Sequence, residues 1–452
     1  MAKPTIQYVC SSCGAKAPQL LGRCPVCGEW GTYEEEVVNT TPKKGVTPRS
    51  FGESRAQRLQ DVVATNEIRL DMHNGEFNRV LGGGLVAGSL VLLGGEPGIG
   101  KSTLALQVLM QQGERKTFYA SGEESVRQLK LRAERLKGNA ENLYISSETS
   151  LERILEQVKE LEPEIVVIDS IQTIGTEAVE ATIGSITQVR ECAARILEFA
   201  KTRNIPFIII GHINKEGSLA GPKVLEHIVD TVLQFEGDQQ YMYRILRAQK
   251  NRFGSTSEIG IYEMRQDGLR EVTNPSELLL STAREGLSGI AIAAAVEGVR
   301  PFLIEVQALV SSAAYGTPQR SSTGFDGRRL NMLLAVLEKR VGFKLLQKDV
   351  FLNIAGGLRV QDPAIDLAVL AAVLSSNMDI ALDAGTCLCG EVGLAGEIRP
   401  VNRIEQRIAE AQKLGFRRIL IPAEQKVDTS RYKIEIVPVK KVTDAFRLLI
   451  KS

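Results

Sequence analysis

Eight consecutive residues constrain the fold of this chain more than any other feature. Gly95-Glu96-Pro97-Gly98-Ile99-Gly100-Lys101-Ser102 fits the spacing G-x4-G-K-[ST]. An apolar run over residues 89–93 reads as a buried strand before it, and residues 103–111 read as a helix after it. Glycines let backbone N–H groups wrap a phosphate at a helix N-terminus, where unsatisfied donors and the helix dipole both favour an anion. Residues Gly95 to Thr103 are therefore the expected nucleotide contacts. Lys101 is placed to meet the β- and γ-phosphates and the Ser102 hydroxyl to join a Mg²⁺ shell, so the cofactors expected here are ATP and Mg²⁺. Further strand-like runs at 117–120, 165–168 and 206–210 alternate with amphipathic helical patterns. That alternation is the signature of an α/β sheet with crossover helices.

Asp169 ends the run Ile165-Val-Val-Ile168, where a carboxylate can hold Mg²⁺ or its water; the competing role is a surface cap for the next segment. Hydrolysis also needs a group that orients or deprotonates water. Glu123 and Glu124 follow the second strand-like run in Ser121-Gly-Glu-Glu-Ser125. A carboxylate at the C-terminal edge of a neighbouring strand faces the phosphate crevice. Of the two we favour Glu123. His212 ends the run at 206–210 in Gly211-His-Ile-Asn-Lys215; a γ-phosphate sensor and an ordinary strand-end histidine are both open readings.

Four of the seven cysteines lie within the first 27 residues, as Cys10-x2-Cys13 and Cys24-x2-Cys27. Two CxxC turns bring four thiolates to one tetrahedral ion, which predicts a structural Zn²⁺ rather than disulfides. Gly14 and Gly28 follow the second cysteine of each pair, where a tight turn favours glycine. Cys192, Cys387 and Cys389 sit in apolar contexts and read as core. The chain has 452 residues, about three times the ~150 of an average domain. Its changes of pattern divide it into a zinc finger (1–31), a polar linker (32–66), a P-loop ATPase domain (67–273) and a second α/β domain (274–452). A net charge of +1 confines any DNA-binding surface to a local patch. The longest apolar stretches, such as 367–374, fall far short of the ~18 residues of a membrane span, and no apolar signal core opens the chain. A cytoplasmic location without membrane contact is expected.

Taken together, the four-cysteine N-terminus, the P-loop, Ser121-Gly-Glu-Glu-Ser125, Asp169-Ser-Ile-Gln172 and Lys250-Asn-Arg-Phe-Gly254 resemble the bacterial RadA (Sms) family, and the resemblance covers essentially the whole chain. It implies a RecA-like core in a homo-oligomeric ring, a hexamer. It also implies a DNA-stimulated ATPase that drives branch migration on single-stranded and branched DNA, acts as a DnaB-like helicase and partners a RecA-type recombinase. The resemblance supports Glu123 as the water-activating residue and His212 as a sensor. Residues 214–223, with Lys215 and Lys223, are the expected DNA loop. Lys250 and Arg252 follow a strand-like run at 241–246, and Gly254 permits a turn that presents both outward. A solvated face is one reading of them; a reach to a neighbouring subunit's nucleotide or to DNA is the other.

In the last domain, Val296-Glu-Gly-Val-Arg-Pro301, Gly390-Glu-Val-Gly-Leu-Ala-Gly-Glu-Ile-Arg-Pro400 and Arg417-Arg-Ile-Leu-Ile-Pro422 look like the Lon proteolytic domain. Lon-type peptidases use a serine activated by a lysine. Here the serine segment reads Asp362-Pro-Ala-Ile-Asp366, and the lysine position in Val401-Asn-Arg-Ile-Glu405 holds an acid. Neither half of the dyad is present, so a proteolytically inactive scaffold for ring assembly and DNA is expected. Arg328, Arg329, Lys339, Arg340, Arg403 and Arg407 are its candidate phosphate contacts. An ATP-dependent protease and a regulatory ATPase acting on protein partners are the rival functions.

Overall fold

The computed structural model describes residues 5–10, 15–26, 28–38, 58, 68–212, 223–237, 243–280, 286–313, 318–357 and 359–450. The expected DNA loop at 214–222 lies outside the described residues, as do Cys13, Gly14 and Cys27. The chain divides into two compact units, residues 1–239 with 244–271, and residues 240–243 with 272–452.

In the first unit a small sheet comes first: β1 (Thr5–Cys10), β2 (Lys16–Ala17) and β3 (Tyr33–Val38), in the order β2-β1-β3. Thr5 pairs with Val38 and Cys10 with Tyr33. β3 lies within the segment read as a polar linker. The acidic run Glu34–Glu36 is strand, because its backbone completes the β1 ladder.

After β4 (Arg69–Leu70), α1 (Gly75–Leu81) and β5 (Leu85–Val86), a nine-stranded sheet is built. Its strands are β6 (Leu90–Gly95), β7 (Thr117–Ser121), β8 (Leu143–Ser147), β9 (Ile165–Asp169), β10 (Phe207–His212), β11 (Thr231–Glu236), β12 (Tyr243–Asn251), β13 (Ile259–Arg265) and β14 (Gly268–Glu271). The order is β14-β13-β12-β11-β6-β10-β9-β7-β8, with the six strands from β11 to β8 parallel. Their helices are α2 (Lys101–Met110), α3 (Val126–Leu136), α4 (Leu151–Leu161), α5 (Ile186–Arg203) and α6 (Lys223–Ile228).

The parallel strands are apolar on both sides because both faces are covered. Val91, Leu93, Tyr119, Val167 and Ile210 point toward α1, α2 and α3. Leu90, Leu92, Phe118, Ile168 and Ile209 alternate with them and pack on α4 and α5. Serines start the crossover helices where a side-chain acceptor is needed: Ser125, Ser150 and Ser185 each accept from a first-turn amide. By contrast, α2 starts on Gly100 at φ 112° with no side-chain cap, which leaves its first N–H groups to a ligand.

In the second unit, α7 (Pro275–Leu279) precedes β15 (Ile290–Glu297), β16 (Arg300–Ser312), β17 (Arg320–Thr323), α8 (Gly327–Val336), β18 (Lys348–Ile354), α9 (Asp366–Met378) and β19 (Thr386–Leu388). The hairpin β20 (Glu391–Val392) and β21 (Ile398–Arg399), α10 (Ile404–Lys413), β22 (Arg418–Pro422), β23 (Glu435–Val439) and α11 (Val442–Ile450) complete it. The seven-stranded sheet runs β17-β18-β16-β15-β19-β22-β23. Among the described residues no helix is long and apolar enough to cross a membrane.

Candidate functional site

The loop between β6 and α2 is the phosphate cradle that the sequence predicts. Gly95, Gly98 and Gly100 have positive φ. A Cβ at Gly95 would lie 2.6 Å from the Phe235 carbonyl oxygen, so a side chain there is excluded by contact with backbone, and the positive φ of Gly100 excludes one by conformation. Lys101 is 3% exposed, and its Nζ donates to the carbonyls of Gly95 (2.8 Å) and Glu96 (2.9 Å). Burial lowers its pKa to about 8 against the opposing pull of Asp169, Glu123 and Glu96. The ammonium therefore sits in a place that rewards an arriving negative charge.

Lys101 Nζ also lies 3.2 Å from His212 Nδ1, and His212 Nε2 lies 3.1 Å from Glu123 Oε1. An ammonium can only donate, so Nδ1 is the acceptor and Nε2–H the donor to Glu123. Ser170 Oγ donates to the same Glu123 oxygen at 2.6 Å. Burial raises the Glu123 carboxyl, but the hydrogen bonds from Ser170 and His212 and the Lys101 charge outweigh it and leave it below its ordinary value. A continuous chain thus joins the cradle lysine to one acid at the end of the neighbouring strands. Glu124 is outside this chain: it is ion-paired with Arg132 of α3.

Asp169 ends β9 and is 3% exposed. Its Oδ2 accepts from the Tyr119 hydroxyl at 2.6 Å, while Oδ1 is buried with no hydrogen-bond partner. A buried carboxylate oxygen left open beside an uncapped helix start and a desolvated lysine fits a nucleotide with its divalent cation. The Ser170 hydroxyl, the Tyr119 phenol and the Arg132 lock on Glu124 were not legible, because each depends on which strands are neighbours.

Lys250 and Arg252 lie elsewhere on the sheet. β12 runs through Lys250 to Asn251, longer than the run at 241–246 suggests. Lys250 pairs with Val232, which is beside Leu92, and the Arg252 amide bonds Asp230, which is bonded to Leu90. Both are therefore toward the N-terminal end of β6, away from the cradle at Gly95. Lys250 is not presented outward: its Nζ folds back onto the carbonyls of Glu226 (2.5 Å) and Val229 (2.8 Å), because the end of α6 leaves those acceptors open. Burial and the nearby Arg252 charge lower its pKa. Arg252 is half-exposed and bonds Asp230 Oδ1 at 3.1 Å.

In the N-terminal sheet, Cys10 and Cys24 are fully buried in one small core with Ala17 and Tyr33. Cys10 Sγ lies 3.1 Å from Thr32 Oγ1, and Gly28 has φ 78°, the turn expected after a CxxC pair. Two soft sulfur donors from separate knuckles in one core fit the chemistry of Zn²⁺.

The second unit corrects two of its expected phosphate contacts. Arg407 is 2% exposed and donates to Asp362 Oδ2 and the Ala294 carbonyl, both at 2.6 Å. Arg329 is ion-paired with the fully buried Asp366, whose Oδ2 also accepts from the Val392 amide at 3.1 Å. Both arginines are consumed by acids of the Asp362–Asp366 segment, since a buried carboxylate without a partner is costly. Glu405 is exposed on α10 and takes no part.

Three family models match separate stretches of the chain. Residues 74–270 match the ATPase family described as KaiC, residues 8–35 the rubredoxin metal binding domain, and residues 325–425 the subunit ChlI of Mg-chelatase. The chain is 49% identical to the DNA repair protein RadA of Bacillus subtilis over 99% of both chains. It is 47% identical to the protein of the same description from Listeria monocytogenes, over 99% of this chain and 98% of that one. A KaiC-like protein of Pyrococcus horikoshii, 21% identical, covers 46% of this chain and 100% of its own at a TM-score of 0.39.

Proposed function

The chain belongs to the RadA family of DNA repair proteins, and from that premise we propose how its ATP-hydrolysing core is built to work on DNA. It is an ATPase of DNA repair and recombination with ATP, Mg²⁺ and Zn²⁺ as cofactors. Our reading of its action is a cytoplasmic, homo-hexameric ring that moves on single-stranded and branched DNA, drives branch migration with helicase activity and serves a RecA-type recombinase. We divide it into a metal ribbon bound through Cys10, Cys13, Cys24 and Cys27, a linker, the RecA-like core, and a Lon-like domain without proteolytic activity. The rival is a regulatory ATPase that acts on protein partners alone.

The observation that carries the reading is the chain Lys101–His212–Glu123–Ser170. Gly95 to Thr103 hold the phosphates, Lys101 turning from the Gly95 and Glu96 carbonyls to the β- and γ-oxygens. Ser102 and Asp169 would hold Mg²⁺, which when bound would supply charge neutralisation at the transferred phosphoryl group. Glu123, kept ionised, accepts the proton of the attacking water, and ADP and phosphate leave. When Lys101 turns away, His212 loses one of its two partners. His212 ends β10 immediately before the segment with Lys215 and Lys223, so nucleotide state reaches the residues we assign to DNA.

Arg252 is read as acting on the neighbouring subunit, with Lys250 beside it held on the Glu226 and Val229 carbonyls. One experiment tests these assignments together: phosphate release with and without single-stranded DNA, for Lys101→Ala, Arg252→Ala and their mixture. The motor reading expects DNA to stimulate the parent, and the mixture to hydrolyse where an intact cradle meets an intact Arg252. No stimulation by DNA favours the regulatory rival. An inert mixture, with subunit exchange confirmed by labelled chains, refutes action in trans.

A further inference from the structure

We propose that Tyr119 is a positioning residue for the cation, fixing the Asp169 carboxylate so that Oδ1 alone is offered to the Mg²⁺ shell. The inference rests on the reading of Asp169 just given. Tyr119 is two residues before Ser121 on β7, and Ser121 pairs with Asp169 across the ladder. The two side chains therefore share one face of the sheet, and the long phenol leans along the strand to reach the carboxylate. Its hydroxyl donates to Oδ2 at 2.6 Å, which leaves Oδ1 buried and without a partner.

The Tyr119 ring is fully buried among Leu93, Val167 and Leu129. A phenol keeps its proton at neutral pH, and against a carboxylate oxygen it can only be the donor. A carboxylate free to rotate would present both oxygens and could take a cation in two ways; one that spends Oδ2 on a fixed donor presents one. The backbone adds to the constraint, because the Gly122 amide donates to the Asp169 carbonyl at 2.8 Å. The single turn after β7 thus carries Glu123, ties down the Asp169 main chain through Gly122, and follows the strand that orients its side chain through Tyr119. Water activation and cation placement are set by one element.

Groups that orient a metal-binding carboxylate typically change affinity or activity by about 10- to 100-fold when removed. Tyr119→Phe keeps the buried ring and deletes only the donor. The test compares the parent, Tyr119→Phe and Asp169→Asn by two readouts: Mn²⁺ binding to the protein–nucleotide complex followed by electron paramagnetic resonance, and affinity for a fluorescent ATP analogue in EDTA. We expect Tyr119→Phe to raise the Mn²⁺ dissociation constant about 10-fold or more, with metal-free nucleotide affinity unchanged. Saturating Mg²⁺ should restore most of its turnover, a shift in metal requirement rather than in kcat. Unchanged Mn²⁺ binding in Tyr119→Phe, with Asp169→Asn impaired, overturns this inference alone. Unchanged binding in Asp169→Asn overturns the Asp169 reading beneath it. Loss of nucleotide affinity in EDTA by Tyr119→Phe assigns the phenol to the packing of the site and overturns the positioning role as well.

Discussion

Replacing Glu123 by glutamine removes one negative oxygen and little else, which makes it the sharpest probe of the hydrolytic site. Its Oε1 receives both Ser170 and His212, so the amide variant keeps the shape of the corner but loses the proton acceptor. General-base contributions of about 10²–10⁴-fold set the expected loss of turnover, or about 3–5.5 kcal/mol in the barrier. Nucleotide binding should be kept or tightened, since Glu123 is one of the charges that Lys101 feels and a γ-phosphate meets less repulsion without it. Glu124→Gln is the matched control. It breaks the ion pair to Arg132, both partners about a quarter exposed, and leaves that guanidinium short of acceptors. The expected outcome is a modest loss of stability and turnover within a few-fold of the parent. The assay is phosphate release at saturating ATP, alongside equilibrium binding of a fluorescent nucleotide. Bind-but-not-hydrolyse behaviour in Glu124→Gln, with Glu123→Gln active, would refute the argument from the His212 chain.

Four further outcomes can be measured. With Lys101 at about 8 in the free protein, its charge is lost as pH rises through that value, so ATP affinity should weaken about tenfold from pH 7 to 9 with proton uptake on binding; flat affinity measured by calorimetry contradicts it. In the nucleotide-free protein the unfolded lysine, near 10.5, holds its proton longer, so the stability cost of burying it should fade as pH climbs from 8 toward 10.5. Elemental analysis should find one zinc per chain and none in Cys10→Ala, with ATP binding intact in the variant; metal retained at full occupancy rules out the four-cysteine site. Arg407→Met strips Asp362 of its buried partner and should cost the second unit about 3–5 kcal/mol, seen as a lower thermal transition, and an unchanged melt would show the pair to be dispensable.

The nucleotide site was legible wherever its chemistry is local in sequence. A glycine loop between a strand and a helix specifies its own conformation, so Gly95 to Ser102 and Lys101 could be read directly. Asp169 was readable too, as the polar residue that ends an apolar run. What sequence left out are residues whose role depends on strand order. Tyr119 looks like one more β-former in Thr117-Phe-Tyr-Ala-Ser121, and only the β7–β9 pairing gives its hydroxyl a purpose. Adjacent in sequence, Glu123 and Glu124 differ in what they meet, since Arg132 is ion-paired with the second acid. The error over Arg329 and Arg407 has the same origin. Cations on an amphipathic helix read as solvent-facing, and the acids that bury them are 37 and 45 positions away.

The position of Arg252 carries the remaining step. Its amide bonds Asp230, and Asp230 is bonded at main chain and side chain to Leu90, the first residue of β6. The cradle opens at Gly95, the last residue of that strand. Five steps at about 3.3 Å put some 17 Å of strand between them, more than an arginine side chain spans. The same cation cannot serve its own phosphates, yet it is half-exposed and aimed by Asp230, one of the few fully buried acids in the unit. The loop that bears it is held firmly: Asn251 Nδ2 donates to the Leu81 carbonyl at 3.2 Å, and Arg69 donates to the Phe253 carbonyl at 2.6 Å. In the ring proposed above, a cation at this end of its own sheet would be available to the next subunit's cradle. Hydrolysis would then depend on assembly and could pass from one subunit to the next around DNA.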